Sequence, residues 1–282
     1  MTLTTQPLKP HFGAEIVGVS LAEAIDAATQ SQIRTLWHQH QILLFRDQQL
    51  EETDLVRFSA DLGPLEIHLR TEYLSPDNPE ILFISNIREN GRPIGILSDN
   101  EVGWHYDQIY LPRPAVGSCL YSVILPESGG STSFADMSAA YEQLPDEMKH
   151  RLEGKRAVQS YEAFNKAYSV PTSKEQKKKS QDIDHPIVRT HPYTGRKALY
   201  MCPGMTIQIL GMSDAESAET LEFLFDWTVR EEFVYTHEWR LGDAILWDNA
   251  STMHRREPFN AGEQRLMKRT TILPQADRAV PV

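Results

Sequence analysis

The sequence predicts a mostly β chain with helical insertions, an α+β class, built on a jelly-roll type double sheet. Three observations lead there. At least eight short runs rich in β-branched and aromatic residues are spread along the chain. Helical spacing is confined to an early stretch and to insertions, without the regular strand–helix alternation of a Rossmann sheet or a TIM barrel. No repeat of about 20–50 residues appears, which argues against a solenoid or propeller. A double sheet with helices inserted between its strands fits these facts best.

The elements follow in order. After Phe12, residues Ala14, Ile16, Val17, Val19 and Leu21 alternate and read as a short strand entering a turn. Residues 22–40 take helical spacing, with Ile25, Ile33, Leu36 and Trp37 on one face. Gln41-Ile-Leu-Leu-Phe45 reads as a buried strand, with its turn at Arg46-Asp-Gln-Gln. Residues 51–62 read as a helix, because Thr53 and Asp54 stand near its start and Gly63-Pro64 just past its end. Residues 80–86 form another strand. Residues 87–103 are polar and glycine-bearing, a predicted loop, and run into Trp104-His-Tyr-Asp107. Residues 117–124 make a strong strand, closed by Pro126 and Gly129-Gly130, and Ser131-Thr-Ser-Phe134 resumes the sheet. Residues 136–153 are helical through Ala139, Ala140, Leu144, Met148 and Leu152, and Pro145 splits them in two. Residues 165–184 read as a mobile surface loop whose Lys177-Lys-Lys179 run is a solvated face. Strands over 185–191 and 197–201 flank the turn Tyr193-Thr-Gly-Arg196. Ser213-Asp-Ala-Glu216 is a capping-box pattern opening a helix over 213–231, with Leu221, Leu224, Phe225 and Val229 on its apolar side. Residues 233–240 alternate, residues 242–247 are a strand, and residues 265–273 close the sheet.

A chain of 282 residues is read here as one domain over 1–282. It is long enough to bury a core without disulfides or a structural metal, so a metal it holds serves chemistry. The net charge of −11 argues against nucleic acid and anionic membranes, which favour basic stripes. A small anionic partner stays compatible, because a pocket can be locally basic inside an acidic shell. Cys119 and Cys202 form no CxxC pair and read as small buried side chains in a reducing compartment. The N-terminus lacks the basic flank and apolar run of a signal peptide, and runs such as Ile42-Leu-Leu-Phe45 are far too short to span a bilayer. A cytoplasmic protein is expected, with no membrane or nucleic-acid partner. A homo-oligomer, dimer or tetramer, is the expected assembly.

His105 and Asp107 lie two residues apart, so on an extended segment they point to one side and can converge on one ion. A surface His and Asp give the same tripeptide by chance. His254 follows a buried strand and a polar turn, and alone it reads as a structural histidine. Together, two histidines and a carboxylate make the facial triad of non-haem iron oxygenases, which leaves further coordination positions open. A structural zinc site is closed at its protein ligands instead. Arg265, Lys268 and Arg269 form a basic cluster after His254. An acid co-substrate needs an always-charged, bidentate partner, as arginine provides, and Thr132 offers a hydroxyl. A solvated basic strand is the plain alternative for that cluster.

With these residues in view, the sequence resembles the TauD/TfdA family of iron(II)- and 2-oxoglutarate-dependent dioxygenases, the taurine and 2,4-dichlorophenoxyacetate dioxygenase group. The resemblance covers nearly the whole chain. It rests on Phe12-Gly-Ala-Glu-Ile-Val-Gly-Val-Ser-Leu21, Leu62-Gly-Pro-Leu65, Trp104-His-Tyr-Asp107, Leu125-Pro-Glu-Ser-Gly-Gly-Ser-Thr132, Glu232-Phe-Val-Tyr-Thr-His-Glu-Trp239, Gly242-Asp-Ala-Ile-Leu-Trp-Asp-Asn249 and Arg265-Leu-Met-Lys-Arg-Thr270. It implies a double-stranded β-helix (jelly-roll) core, Fe(2+) on His105, Asp107 and His254, and 2-oxoglutarate held at its distal carboxylate by Thr132 and Arg265. It also implies O2 as oxidant, and substrate binding by His68 and Arg269, with a small organic anion, a taurine-like sulfonate or an aryloxyalkanoate, hydroxylated as succinate and CO2 leave. Asp107 favours hydroxylation, since related halogenases lack that carboxylate. The chain departs from the family pattern at Tyr106, Ser131 and Ala250, none of them a ligand position. Two other readings use the same residues: a metal-dependent hydrolase with an activated water, and a non-catalytic jelly-roll binding protein.

Overall fold

Side chains alternate across a strand, so every strand has two faces to cover. In this chain two sheets cover each other's inner faces, and helices cover the outer ones. The computed structural model describes residues 3–96, 100–167 and 181–275. Strands β1 (Thr4–Lys9), β2 (Phe12–Val17) and β3 (Ile42–Phe45) open the chain, with helix α1 (Ala27–His40) before β3 and α2 (Glu52–Ala60) after it. Next come β4 (Leu82–Ser85), the small hairpin β5 (Arg88–Glu89) and β6 (Arg92–Pro93), β7 (Val102–His105), β8 (Gly117–Ile124) and β9 (Thr132–Asp136). The insertion that follows holds α3 (Met137–Glu142), α4 (Asp146–Leu152), β10 (Arg156–Gln159), α5 (Tyr161–Ala167), β11 (Ile183–Pro186), β12 (Val188–Thr190), β13 (Lys197–Leu199), β14 (Thr206–Ile209) and α6 (Asp214–Thr228). Strands β15 (Val234–His237), β16 (Ala244–Asp248), β17 (Thr252–Arg256) and β18 (Leu266–Ile272) complete the two sheets.

The larger sheet runs β1-β2-β3-β16-β8-β18-β4, antiparallel except where β2 meets β3. The smaller runs β15-β9-β17-β7 and is antiparallel throughout. Ile42 and Leu44 of β3, Leu120 of β8, Ile245 and Trp247 of β16 and Met267 of β18 point inward and meet Phe134 and Tyr235 of the smaller sheet. The alternate residues Leu43, Phe45, Cys119, Ala244 and Leu246 point outward under Ile33 and Trp37 of α1 and Leu55 and Phe58 of α2. On the far side, Ala135 and Met253 are covered by α3, α6 and the segment around Leu199 and Tyr200. The site therefore lies between layers that are packed on both sides.

Local chemistry fixes the ends of the elements. Helix α1 begins five residues later than its periodicity predicts, because the Asp26 carboxylate caps it by accepting from the Ala28 and Thr29 amides. It ends where Gln41 turns left-handed at φ 65°. Ser213 and Glu216 form the predicted capping box of α6, and Pro145 separates α3 from α4 as predicted. Strand β1 carries no alternation to read, since its residues are mostly exposed and it forms a sheet edge with Pro7 in it. Residues 87–103 are not all loop but include β5, β6 and the start of the site on β7. The predicted strand over 185–191 is two strands, because β11 pairs with β10 whereas β12 pairs with β13. Of the loop expected over 165–184, residues 168–180 with Lys177–Lys179 lie outside the described residues. The flanks belong to α5 and β11. Cys119 and Cys202 are buried and free. Among the described residues no helix is long and apolar enough to cross a membrane.

Candidate active site

Antiparallel pairing of β17 with β7 sets His254 directly across from His105. Side chains opposite one another in such a pair lie close on one face, and the two imidazole rings are 4.2 Å apart. Asp107 stands two residues past His105, in the turn after β7, with Oδ1 3.9 Å from His105 Nε2. Ligand atoms of all three residues lie within 4.8 Å of one another.

Each is held from behind. His105 Nδ1 donates to the Gly103 carbonyl at 2.8 Å, which leaves the Nε2 lone pair for the site. The Asp107 amide donates to Asn249 Oδ1 at 3.0 Å, while Asn249 Nδ2 donates to the carbonyls of Asp107 and Ala115. The Ser118 hydroxyl donates to Asp107 Oδ2 at 3.0 Å, and Arg269 Nη1 donates to both carboxylate oxygens at 3.0 and 3.2 Å. Burial alone would raise the Asp107 carboxyl, but Arg269, His254, His105 and Ser118 hold it well below the usual carboxylate range. Burial pushes the His254 imidazole down to about 3 and lowers that of His105 too, so both rings are neutral near pH 7. A buried nitrogen of His254, Nδ1, has no hydrogen-bond partner among the described residues. Neutral imidazoles, an ionised carboxylate and an unsatisfied ring nitrogen fit a divalent metal ion.

A second cluster, His38, His191 and Asp248, offers the same ligand types within the same distance. Its protons are placed differently. His191 Nδ1 accepts from the Tyr193 and Thr194 amides, so Nε2 carries the proton and donates it to Asp248 Oδ2 at 2.7 Å. A metal on Nε2 would force that proton onto Nδ1, where two N–H groups already point. This cluster ties the turn after β16 to the insertion and suits a structural role.

Thr132 opens β9, and its hydroxyl oxygen accepts from Trp239 Nε1 at 2.9 Å, which leaves the hydroxyl hydrogen to donate. Arg265 is 1% exposed. Its Nη2 makes one long bond, 3.4 Å to the Gly130 carbonyl, and its Nε is buried with no partner among the described residues. Burial, and then the nearby Arg256, pull its guanidinium down to about 9. A buried cation with no anion is costly, and this one sits against the Gly130 backbone two residues from Thr132, ready for a carboxylate. Positive φ at Gly130, with Arg265 Nε 3.4 Å from where a Cβ would stand, explains a glycine there.

His68 lies in the segment beside β18, where its Nδ1 accepts from the Arg70 amide. Burial and then Arg269 push it down to about 4. The structure thus brings His105, Asp107, His254 and Arg269 into one cluster, with His68 within the electrostatic reach of Arg269. Arg265 is brought against the Gly130 backbone, two residues from Thr132. Two supporting residues, Ser118 and Asn249, hold Asp107 but were not singled out as site residues. Asn249 stands in the Trp-Asp-Asn motif, so its place there could have flagged it. Tyr106 points away, its hydroxyl donating to the Leu199 carbonyl at 2.7 Å and its ring against Tyr200. Ala250 is buried in the turn, its amide donating to Asp248. Neither touches the triad.

Residues 4–271 match the family described as "Taurine catabolism dioxygenase TauD, TfdA family". The chain is 31% identical to the alpha-ketoglutarate-dependent 2,4-dichlorophenoxyacetate dioxygenase of Cupriavidus pinatubonensis, a match covering 98% of this chain and 99% of that one. It is 34% identical to the pentalenolactone F synthase of Streptomyces avermitilis, over 93% of this chain and 91% of that one. The crystal structure of a taurine dioxygenase from Burkholderia xenovorans superposes with a TM-score of 0.83 at 29% identity, covering 99% of this chain and 91% of that chain.

Proposed function

Because the chain belongs to the TauD/TfdA family, and is therefore an alpha-ketoglutarate (2-oxoglutarate)-dependent dioxygenase and an oxidoreductase, we propose that His105, Asp107 and His254 hold its iron(II). One observation carries this reading: two neutral imidazoles face each other across paired strands, with an ionised carboxylate at the same point. The metal-dependent hydrolase and the non-catalytic binding protein give way to it. We read the double sheet as the family's double-stranded β-helix (jelly-roll) core, and residues 1–282 as one domain. Arg265 and Thr132 take the distal carboxylate of 2-oxoglutarate, since the first is a buried cation without an anion and the second keeps a hydroxyl proton to give. Iron(II), when bound, supplies the activation of O2 that no side chain can provide. The chain orients: Asn249 fixes the backbone of Asp107, Gly103 fixes the face of His105, and the packed layers exclude water.

A small organic anion, sulfonate or aryloxyalkanoate, is the proposed substrate, taken between His68 and Arg269. A neutral His68 donates a hydrogen bond and Arg269 supplies charge. The dichlorophenoxyacetate enzyme's name agrees with that class, whereas the synthase shows by its name that the family also works on other compounds.

Anaerobic iron(II) plus 2-oxoglutarate should give a weak visible charge-transfer band that Asp107→Ala removes. A wild-type chain, cleared of other metals, that gives no band refutes the ligand assignment. Oxygen uptake with sulfonates, aryloxyalkanoates and neutral analogues then tests the substrate class, and preferred turnover of the neutral compounds sinks it.

A further inference from the structure

Glu66 is a carboxylate beside the site that no step above uses, and register leads it there. Leu65 bridges Ile272 of β18, and the Glu66 amide donates to the Thr271 carbonyl at 2.9 Å. Leu65 and Ile272 both turn outward into the cluster under α2. Glu66 therefore turns inward, on the face of β18 that carries Thr271 and Arg269. Residues offset by two across paired strands remain within reach of long side chains. Burial raises the Glu66 carboxyl, and Arg269 is the charge that opposes that rise most strongly, with the Gln108 side chain also favouring the ionised form. Glu66 Oε2 is shielded from solvent and takes no hydrogen bond from the described residues. Arg269 is also incompletely satisfied: Nη1 serves Asp107, while Nε is buried without a partner among the described residues. One guanidinium thus bonds the carboxylate of Asp107 and acts electrostatically on a second, that of Glu66.

A cation that bonds both oxygens of Asp107 opposes a metal there, by its charge and by occupying the lone pairs. A second anion acting on the guanidinium weakens that hold. We propose that Glu66 is a positioning residue that shares Arg269 with Asp107 and so releases the Asp107 carboxylate to the metal. The inference rests on the reading of the triad as a metal site.

Isothermal titration of the metal-stripped chain with Co(II), near neutral pH, tests it as a double-mutant cycle. Glu66→Gln should weaken Co(II) binding by about fivefold or more, and Arg269→Gln should tighten it. In the Arg269→Gln background, Glu66→Gln should change the affinity by less than about twofold. An equal loss in both backgrounds means that Glu66 attracts the metal directly, and overturns the proposal. So does an unchanged affinity in the single variant. Circular dichroism confirms that each variant is folded, and Arg269→Met provides a second background. If the wild-type chain takes up no Co(II), or His105→Ala leaves uptake intact, the metal reading falls and this inference with it. Normal uptake without coupling defeats the inference alone.

Discussion

At the residue scale an uncomfortable group close to the site is Arg265. It is 1% exposed, has no ion pair among the described residues and makes one long hydrogen bond. Replacing a buried charge by an apolar side chain of similar volume is often stabilising, by about 1–4 kcal/mol. Arg265→Met should therefore raise the melting temperature of the co-substrate-free protein. The same change should abolish the response to 2-oxoglutarate. In the wild type, co-substrate at about a hundred times its dissociation constant adds about 2.7 kcal/mol of stability, and in the variant it should add almost none. Thermal melts with and without 2-oxoglutarate check both halves. A variant that is less stable without ligand, or that still responds to it, contradicts the assignment of Arg265 as an anion site. Asp107 behaves in the opposite way, because it has Arg269 and Ser118 as partners before any metal arrives.

At the scale of elements, the turn after β16 and the turn after β7 act as one unit through Asn249, which makes three hydrogen bonds to Asp107 and Ala115. Asn249→Ala leaves a buried amide and two buried carbonyls without that partner, at about 1–3 kcal/mol each before relaxation. Metal affinity should fall with stability, while His105 and His254 keep their strand pairing. Calorimetric titration with Co(II) reads the first effect, and unchanged affinity would detach Asn249 from the site. Gly117 is a second such point. A Cβ there would meet Trp37 Cζ2 at 2.2 Å and the Trp247 carbonyl at 2.8 Å. Gly117→Ala should cost about 1–3 kcal/mol by overpacking, visible in a denaturant midpoint. Legibility followed the same lines. β8 was read to the residue because Gly117–Ile124 is apolar and β-branched and is bounded by turn residues. Strand β17 was not, because Thr-Met-His-Arg-Arg interrupts the apolar pattern on the face where the site stands, and function there replaced the packing signal. β1 was missed because an exposed edge needs no alternation. His105, Asp107, His254, Thr132 and Arg265 could be singled out together because a resemblance links positions far apart in sequence. Glu66 escaped because its neighbours are supplied by β18, about two hundred residues further on, and no local pattern encodes them.

Across the whole molecule, the insertion is joined to the segment past Asp107 partly by His185, which burial lowers well below its ordinary range, and this bears on how the protein meets acid. His185 of β11 is 2% exposed and bonds the Leu111 carbonyl through Nε2 at 3.0 Å, tying the insertion to the segment just past Asp107. Burial pushes it from its ordinary 6.5 down to about 4. His68 is likewise lowered to about 4 and, without metal, His254 to about 3. Between those values and 6.5 the unfolded chain binds protons that the folded chain refuses. Stability is therefore complete above about pH 7 and is lost as pH falls through 6.5 toward 4. For His185 alone the loss at about pH 5 is about 2 kcal/mol. Carboxylates held below their ordinary range, such as Asp243 and Glu52, make their own loss only as pH falls below about 4.5, while the buried Glu66 and Asp136 carboxyls, raised by burial, offset part of the histidine loss above it. Metal-free protein melted at steps from about pH 7.5 down to about pH 5 should keep a level melting temperature above 7 and then lose about 5–10 °C. His185→Gln keeps a donor toward Leu111 but cannot take up a proton, and it should flatten part of that slope at a fixed metal-free state. A level profile through the whole range, or a variant that falls as steeply as the wild type, would show that protonation of these buried rings does not govern how the insertion is held.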